Sequence, residues 1–146
     1  MEKILVPYDF SDYAHLAFEK AAQMASKFNS KIILLTVIGP DINTSGMSLS
    51  RAEELVDKEK AKSKEVLKKI IESKEYADLD VSYEIVHTSS SIEGIITFAG
   101  KNDVDLIVMG SHGRKGFRKL VLGSVASGVI TKSNCPVMIV KQKREK

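Results

Sequence analysis

The stretch KILVPYDFSDYAHLAFEKAAQMASKFNSKIILLTVI, residues 3–38, contains a complete strand, helix and strand. Its two ends, residues 3–8 and 31–38, are continuous apolar runs, which is the pattern of strands buried on both faces. Between them, residues 12–28 carry apolar side chains at helical spacing and predict an amphipathic helix that packs on the sheet. The connection is too long for a hairpin, so the two strands are predicted to be parallel.

The same alternation continues along the rest of the chain. Further strands are predicted for residues 80–87, 105–110 and 136–141, and helices for residues 50–73, 91–101 and about 124–132. Two of these helices begin at candidate capping boxes, Ser50 with Glu53 and Ser90 with Glu93. The order βαβαβαβαβ predicts an α/β fold: an open, five-stranded, mostly parallel sheet with helices on both faces, doubly wound and Rossmann-like.

Length and composition narrow the class of protein. The chain has 146 residues, of which 43% are hydrophobic and 28% charged, so a single globular domain over residues 1–146 is predicted. The N-terminal apolar run is short, and no run approaches the roughly 20 residues that span a bilayer. The single cysteine, Cys135, excludes an internal disulfide. These features predict a cytoplasmic protein without a membrane partner.

Positive charge is concentrated in the C-terminal third, although the net charge is only +3. No acidic residue lies between Asp105 and Glu145. Within that span, GSHGRKGFRKLVLGS at 110–124 combines four glycines with four basic residues, Arg114, Lys115, Arg118 and Lys119. The segment indicates an anion site, and the anion could belong to a small phosphate compound, to nucleic acid or to solvent. Phe117 is its one aromatic side chain for stacking on bases, which argues against nucleic acid.

The winding of such a sheet puts its ligand crevice outside the carboxyl ends of the strands. Three loops qualify: PYDFSD after the first strand, VIGPDINTSG after the second, and the glycine-rich segment after the fourth. Gly110 and Gly113 lack side chains, so we expect them to admit a ligand to the main chain and to permit positive φ. Gly123 and Ser124 precede the last helix, where free N–H groups and the helix dipole favour a phosphate. Residues 39–48 are predicted to form a mobile loop over the crevice.

Two well-known nucleotide signatures, G-x-x-x-x-G-K-[ST] and G-x-G-x-x-G after the first strand, are absent from the chain. The spacing that is present is Gly110-x2-Gly113-x9-Gly123-Ser124. With ILVPYDFSDYA near the start and LGSVASGVITKSNCPVMIV near the end, it resembles the universal stress protein family. The resemblance covers nearly the whole chain and implies an open five-stranded α/β fold of the adenine nucleotide alpha hydrolase type.

For members with the intact glycine motif, the resemblance implies ATP as the ligand, together with Mg²⁺ or Mn²⁺, and a role as a nucleotide-dependent switch or regulator in stress responses. Asp9 would contact the ribose or adenine side, Pro7 would shape the turn beside it, and Val37 would lie against adenine. Around the phosphates would lie Gly110, Gly113, Arg114, Gly123, Ser124 and Val125. His112 would line the same wall, and Met109 is a further candidate for contact with the nucleotide. No residue is assigned a catalytic role, and the metal ligands are unassigned.

Other interpretations of these residues stay open. Asp9 and Ser11 are preferred N-cap residues and could serve only to cap the first helix. Asp9 or His112 could support slow ATP hydrolysis or self-phosphorylation, although the sequence assigns no base to orient water. The chain could also be an interaction module that binds no nucleotide.

The last predicted strand, PVMIVK, is apolar on both faces yet is expected at an edge of the sheet. An exposed apolar edge tends to pair with another chain. We therefore expect an antiparallel homodimer through this strand, and the family resemblance implies the same. The pairing residues would be Val137, Met138, Ile139 and Val140.

Overall fold

The computed structural model describes residues 1–114 and 122–143. Its elements, in chain order, are β1 (Lys3–Pro7), α1 (Asp12–Phe28), β2 (Lys31–Ile38), α2 (Leu49–Ile71), a short 3₁₀ helix (Lys74–Tyr76), β3 (Asp80–His87), α3 (Ser91–Lys101), β4 (Leu106–Gly110), α4 (Ser124–Lys132) and β5 (Val137–Val140). Several residues of the basic segment and tail lie outside the described residues: Lys115, Gly116, Phe117, Arg118, Lys119 and Arg144. Among the described residues, no helix is both long and apolar enough to cross a membrane.

The five strands form one parallel sheet in the order β3-β2-β1-β4-β5. The prediction of a five-stranded, mostly parallel α/β sheet is confirmed, and β5 lies at an edge as expected. In the centre, Leu5 of β1 pairs with Ile33 on one side and Ile107 on the other. Because the chain winds outward from β1 through β2 and β3 and then returns to β4, the winding reverses between β1 and β4.

The central strands are apolar throughout because helices cover both faces of the sheet. Ile4 and Val6 belong to the core that packs against α1 and α2, whereas Leu5 belongs to the core on the α3 and α4 side. Phe18 of α1 is fully buried in the first core, with its ring centroid 4.5 Å from that of Tyr76. Burial of one such side chain contributes about 1.5–3 kcal/mol to the stability of the fold. Many buried side chains on both faces therefore hold the strands, and with them the strand ends, in fixed positions.

The observed N-caps of the helices agree only in part with those predicted from the sequence. Ser48, not Ser50, is the N-cap of α2, and its hydroxyl accepts a hydrogen bond from the Arg51 N–H at 3.2 Å. The capping box predicted at Ser50 and Glu53 is therefore wrong: Ser48 has the extended backbone that an N-cap requires, and Ser50 already lies in the first helical turn.

The N-cap of α3 is Ser90, as predicted, and its hydroxyl accepts from the Glu93 N–H at 3.2 Å. The Glu93 carboxylate does not complete a capping box. It accepts instead from the Lys132 ammonium of α4 at 3.1 Å, so this ion pair joins the two helices on that face of the sheet.

Candidate functional site

A cavity of about 550 Å³ opens at the carboxyl edge of the sheet, where the winding reverses. Its volume lies within the range typical of small-molecule sites. All eleven residues singled out in the sequence line it: Pro7, Asp9, Val37, Met109, Gly110, His112, Gly113, Arg114, Gly123, Ser124 and Val125. The fold thus gathers residues from the ends of β1, β2 and β4 and the start of α4 around one space.

Asp9 connects two loops that border this cavity. Its Oδ1 accepts hydrogen bonds from the Ser11 N–H at 3.0 Å and from the Ser11 hydroxyl at 2.5 Å. Its Oδ2 accepts from the Arg114 N–H at 2.9 Å. Ser11 itself is the N-cap of α1, because its hydroxyl accepts from the Ala14 N–H at 3.1 Å. The capping role that the sequence left open therefore belongs to Ser11, while Asp9 ties the end of β1 to the loop after β4.

Phe10, the residue after Asp9, has a left-handed backbone with φ of 68°. This conformation is unusual for a bulky side chain and generally marks strain that the surrounding structure maintains. The ring of Phe10 meets that of Tyr8 edge-on, with centroids 5.2 Å apart. The buried Thr36 hydroxyl donates to the Tyr8 carbonyl at 2.8 Å, which anchors the same turn to β2. No pattern in the sequence signals this strain.

The glycine-rich segment owes its composition partly to packing against the protein itself. A Cβ on Gly110 would lie 2.7 Å from the Cβ and 2.8 Å from the carbonyl oxygen of Tyr13, so Gly110 admits α1 to the end of β4. The glycines with positive φ among the described residues are Gly39 and Gly46. The expectation of positive φ at Gly110 and Gly113 is therefore wrong, and close approach of backbone is what Gly110 provides.

Gly113 faces Asp9 across the cavity mouth. A Cβ at this position would lie 2.9 Å from the Asp9 Oδ2, the oxygen that accepts from the Arg114 N–H. A side chain at Gly113 would therefore push against the carboxylate that holds the two loops together.

Among the described residues, no side chain caps the N-terminus of α4, whose first turn borders the cavity. Its N-cap, Gly123, has no side chain with which to cap the helix, and the Gly123 N–H donates to the Ser111 carbonyl at 2.7 Å. The first-turn residues Ser124, Val125 and Ala126 all line the cavity. Because first-turn N–H groups lack intrahelical partners and lie at the positive end of the helix dipole, this wall favours an anion.

Ser111 organises the wall beside it. Its buried N–H donates to the Val140 carbonyl of β5 at 3.2 Å, and its hydroxyl lies 2.9 Å from Nδ1 of His112. The His112 ring also packs against Tyr13 of α1, with centroids 5.2 Å apart. These contacts fix the position of the imidazole at the cavity wall.

The other side of the cavity is apolar. Leu35, Val37, Ile95 and Met109 line it, and Val37 packs on the core formed with α3 and α4. Close packing explains a further glycine here, because a Cβ on Gly94 would lie 2.9 Å from the Thr88 methyl group and 3.3 Å from a Val37 methyl group. The cavity therefore combines apolar residues from β2, α3 and β4 with the donor groups at the start of α4.

Comparison with known proteins agrees with this geometry. The sequence profile of the universal stress protein family matches residues 1–141. The chain belongs to the universal stress protein family. Universal stress protein MJ0531 of Methanocaldococcus jannaschii is 32% identical over 99% of this chain and 84% of its own length.

Solved structures place the chain among the same proteins. Protein MJ0577 is a universal stress protein of M. jannaschii. Its structure matches this one with a TM-score of 0.86 at 34% sequence identity, over 99% of this chain and 98% of the MJ0577 chain. UspA from Lactobacillus plantarum has a TM-score of 0.83 at 26% identity, over 95% and 97% of the two chains. The Archaeoglobus fulgidus universal stress protein in complex with dAMP shares the fold, with a TM-score of 0.65 at 21% identity over 97% and 98%.

This universal stress protein also has cavity residues that sequence reasoning missed. Tyr8 and Phe10 follow β1, and Gly39 to Ile42 follow β2; the sequence indicated both loops as crevice candidates without assigning these residues to the site. Glu59 and Ser63 come from α2, a region in which the sequence carried no diagnostic motif. The one available signal was Ser63, a polar residue within the apolar stripe of its helix.

Electrostatic effects at the end of β1 favour a neutral tyrosine beside a charged carboxylate. Burial raises the pKa of the Tyr8 hydroxyl, and the adjacent Asp9 charge raises it further. Tyr8 therefore stays protonated across the physiological range and adds no second negative charge to the mouth of the cavity.

Proposed function

We propose that this chain is a cytosolic ATP-binding universal stress protein that acts as a nucleotide-dependent switch or regulator in the response to stress. The observation that carries the proposal is the convergence of all eleven sequence-predicted residues on one cavity, at the point where the winding of the sheet reverses. The dAMP complex of the A. fulgidus protein supports it further, since the same fold there accommodates an adenine nucleotide.

In this proposal the two sides of the cavity take the two ends of ATP. Adenine lies on the apolar side at Val37, and the phosphates meet the uncapped N-terminus of α4 and the Gly113–Arg114 loop. Hydrogen bonds to a charged group contribute about 1.5–3 kcal/mol each, so several of them give micromolar affinity after the costs of ordering.

The divalent ion is proposed to arrive with the nucleotide. Among the described residues, no group of three or more histidine, cysteine or acidic side chains could hold a metal ion. The Asp9 carboxylate already accepts three hydrogen bonds. Mg²⁺ commonly keeps several waters and is bound through substrate phosphates, so the triphosphate would supply its main ligands.

The tether at Asp9 offers a physical basis for switching. Because one carboxylate joins the turn after β1 to the loop after β4, a ligand that contacts either loop changes the position of both. A partner protein that touches this edge of the sheet would then sense whether nucleotide is bound.

Nucleotide binding is tested directly by two measurements on the purified protein. Mass spectrometry of the denatured protein should reveal a co-purified adenine nucleotide, and calorimetry with ATP and Mg²⁺ should give a micromolar Kd. Gly113→Val should abolish binding, because the new side chain meets Asp9 and the phosphate position. Gly100→Val is the matched control, since a Cβ there meets nothing within 4 Å. Absence of both nucleotide and heat would refute the proposal.

Self-association through β5 is proposed separately. The strand lies at the sheet edge, and all four of its residues are half-buried within a single chain. The carbonyl of Pro136 accepts from Ile107 of β4, and that of Val140 accepts from Ser111, the residue after β4. The amides of Val137 and Ile139 therefore face outward, available to a second copy. Ile139→Pro removes one outward donor without removing a bond to β4, and it should convert a dimer to a monomer in light scattering. A parent protein that is monomeric at micromolar concentration would refute the dimer.

A further inference from the structure

Helix α2 contributes a polar wall to the cavity, formed by Glu59 and Ser63. The two residues are one helical turn apart, so their side chains point to the same side of α2. Ser63 is only 7% exposed and lies between Val56 and Leu67, the other buried residues of the helix. The Ser63 hydroxyl therefore lies within the otherwise apolar buried face of α2, where that face borders the cavity.

The Ser63 hydroxyl has no hydrogen-bond partner among the described residues. A serine within a helix usually bonds to the carbonyl four residues earlier, as the Thr131 hydroxyl does to Ser127 at 2.8 Å. Among the described residues, only the Tyr76 hydroxyl oxygen is both fully enclosed and without a hydrogen-bond partner. Since the Ser63 hydroxyl also has no partner, it is not fully enclosed, and it is open to the cavity that Ser63 lines.

Charge distinguishes the α2 wall from the α4 wall. Glu59 is acidic and its carboxylate accepts hydrogen bonds, so this side of the cavity repels phosphate and attracts donors. The opposite wall carries Arg114 and the N-terminus of α4, which attract phosphate. Since α2 packs on β2 and β3, its wall lies toward the β2 end of the cavity and away from β4, on the face of the sheet opposite to the one that the Val37 side chain covers.

We propose that Glu59 and Ser63 recognise neutral hydrogen-bond donors on the nucleoside half of the ligand, and thereby fix the direction in which the nucleotide enters the cavity. This inference rests on the proposed function. The donors are the ribose hydroxyls or the exocyclic amine of adenine, which share the chemistry that a carboxylate and a hydroxyl accept. A carboxylate commonly performs this role toward ribose in nucleotide-binding sheets.

The test compares ATP binding in the parent protein with Ser63→Ala, Glu59→Gln and a control, Glu53→Gln. Both glutamates are exposed on the same helix, but only Glu59 lines the cavity. Each of the first two variants should raise the Kd about fivefold, the effect of one lost hydrogen bond. The control should leave the Kd unchanged. Without nucleotide, Ser63→Ala should unfold at the same or a higher temperature, because no bond within the protein is lost.

Ligand analogues identify which donor is recognised. Three analogues each lack one donor: 2′-deoxy-ATP, 3′-deoxy-ATP and the 6-unsubstituted purine riboside triphosphate. The analogue that lacks the recognised donor should bind the parent protein about fivefold more weakly than ATP. In the variant that lacks the acceptor for this donor, the same analogue and ATP should bind equally well. Inorganic triphosphate should bind Glu59→Gln at least as tightly as the parent. If all three analogues lose the same affinity in parent and variants, the inference is wrong even though ATP binds. If the parent binds no ATP, the proposed function fails as well.

Discussion

Replacing Asp9 by asparagine tests whether one carboxylate holds the two loops of the cavity together. The amide keeps one acceptor oxygen for Ser11 but places an NH₂ group opposite the Arg114 N–H, so two donors face each other where a bond of 2.9 Å now exists. A hydrogen bond to a charged group contributes about 1.5–3 kcal/mol to the free energy of unfolding. Because the bond between Asp9 and Arg114 is exposed to solvent, the expected loss of stability in Asp9→Asn is about 1–2 kcal/mol. For a chain of this size the loss lowers Tm by about 3–8 °C.

Thermal unfolding and hydrogen exchange measure the two consequences separately. In Asp9→Asn the Arg114 amide should exchange faster, because its acceptor is gone, and the Kd for ATP should rise at least about tenfold as the loops lose their fixed position. Asp12→Asn is the control, since this exposed carboxylate in the first turn of α1 contributes only a few tenths of a kcal/mol through the helix dipole. A variant with parental Tm and parental exchange at Arg114 would show that Asp9 does not tether the loops.

The other predictions concern strain, packing and pH. Phe10→Gly should be about 1 kcal/mol more stable than Phe10→Ala in chemical denaturation, because both lose the ring but only glycine adopts φ of 68° without strain; equal stabilities would count against strain. Gly110→Ala should cost about 1–3 kcal/mol through its clash with Tyr13, whereas Gly100→Ala in α3 should stabilise the protein by about 1 kcal/mol. Burial, reinforced by nearby carboxylates, raises the pKa of Tyr76 to about 12 from 10.0. The folded state therefore holds this proton longer than the unfolded state, and stability should fall as pH rises from 10 toward 12. Tyr76→Phe should flatten that part of the stability profile, and an unchanged slope would contradict the shift.

The secondary structure could be predicted from the sequence because it depends on local patterns. Continuous apolar runs marked β1, β2 and β4, and helical spacing marked α1 from Asp12 to Phe28 within the observed bounds. The prediction was weaker where neighbouring residues compete for the same local role. Ser48 and Ser50 are both suitable caps, and only the backbone angles of the folded chain select Ser48.

The sequence by itself determined the layers of the fold, the edge position of β5 and the residues that line the glycine-rich side of the cavity, since motif spacing and apolar periodicity are properties of short segments. Only the tertiary structure decided what those residues touch. Asp9 meets the Arg114 N–H across 105 positions of sequence, Gly110 makes room for Tyr13, and α2 brings Ser63 to the cavity. These contacts depend on how helices pack on the sheet, and no local pattern records which distant atoms will meet.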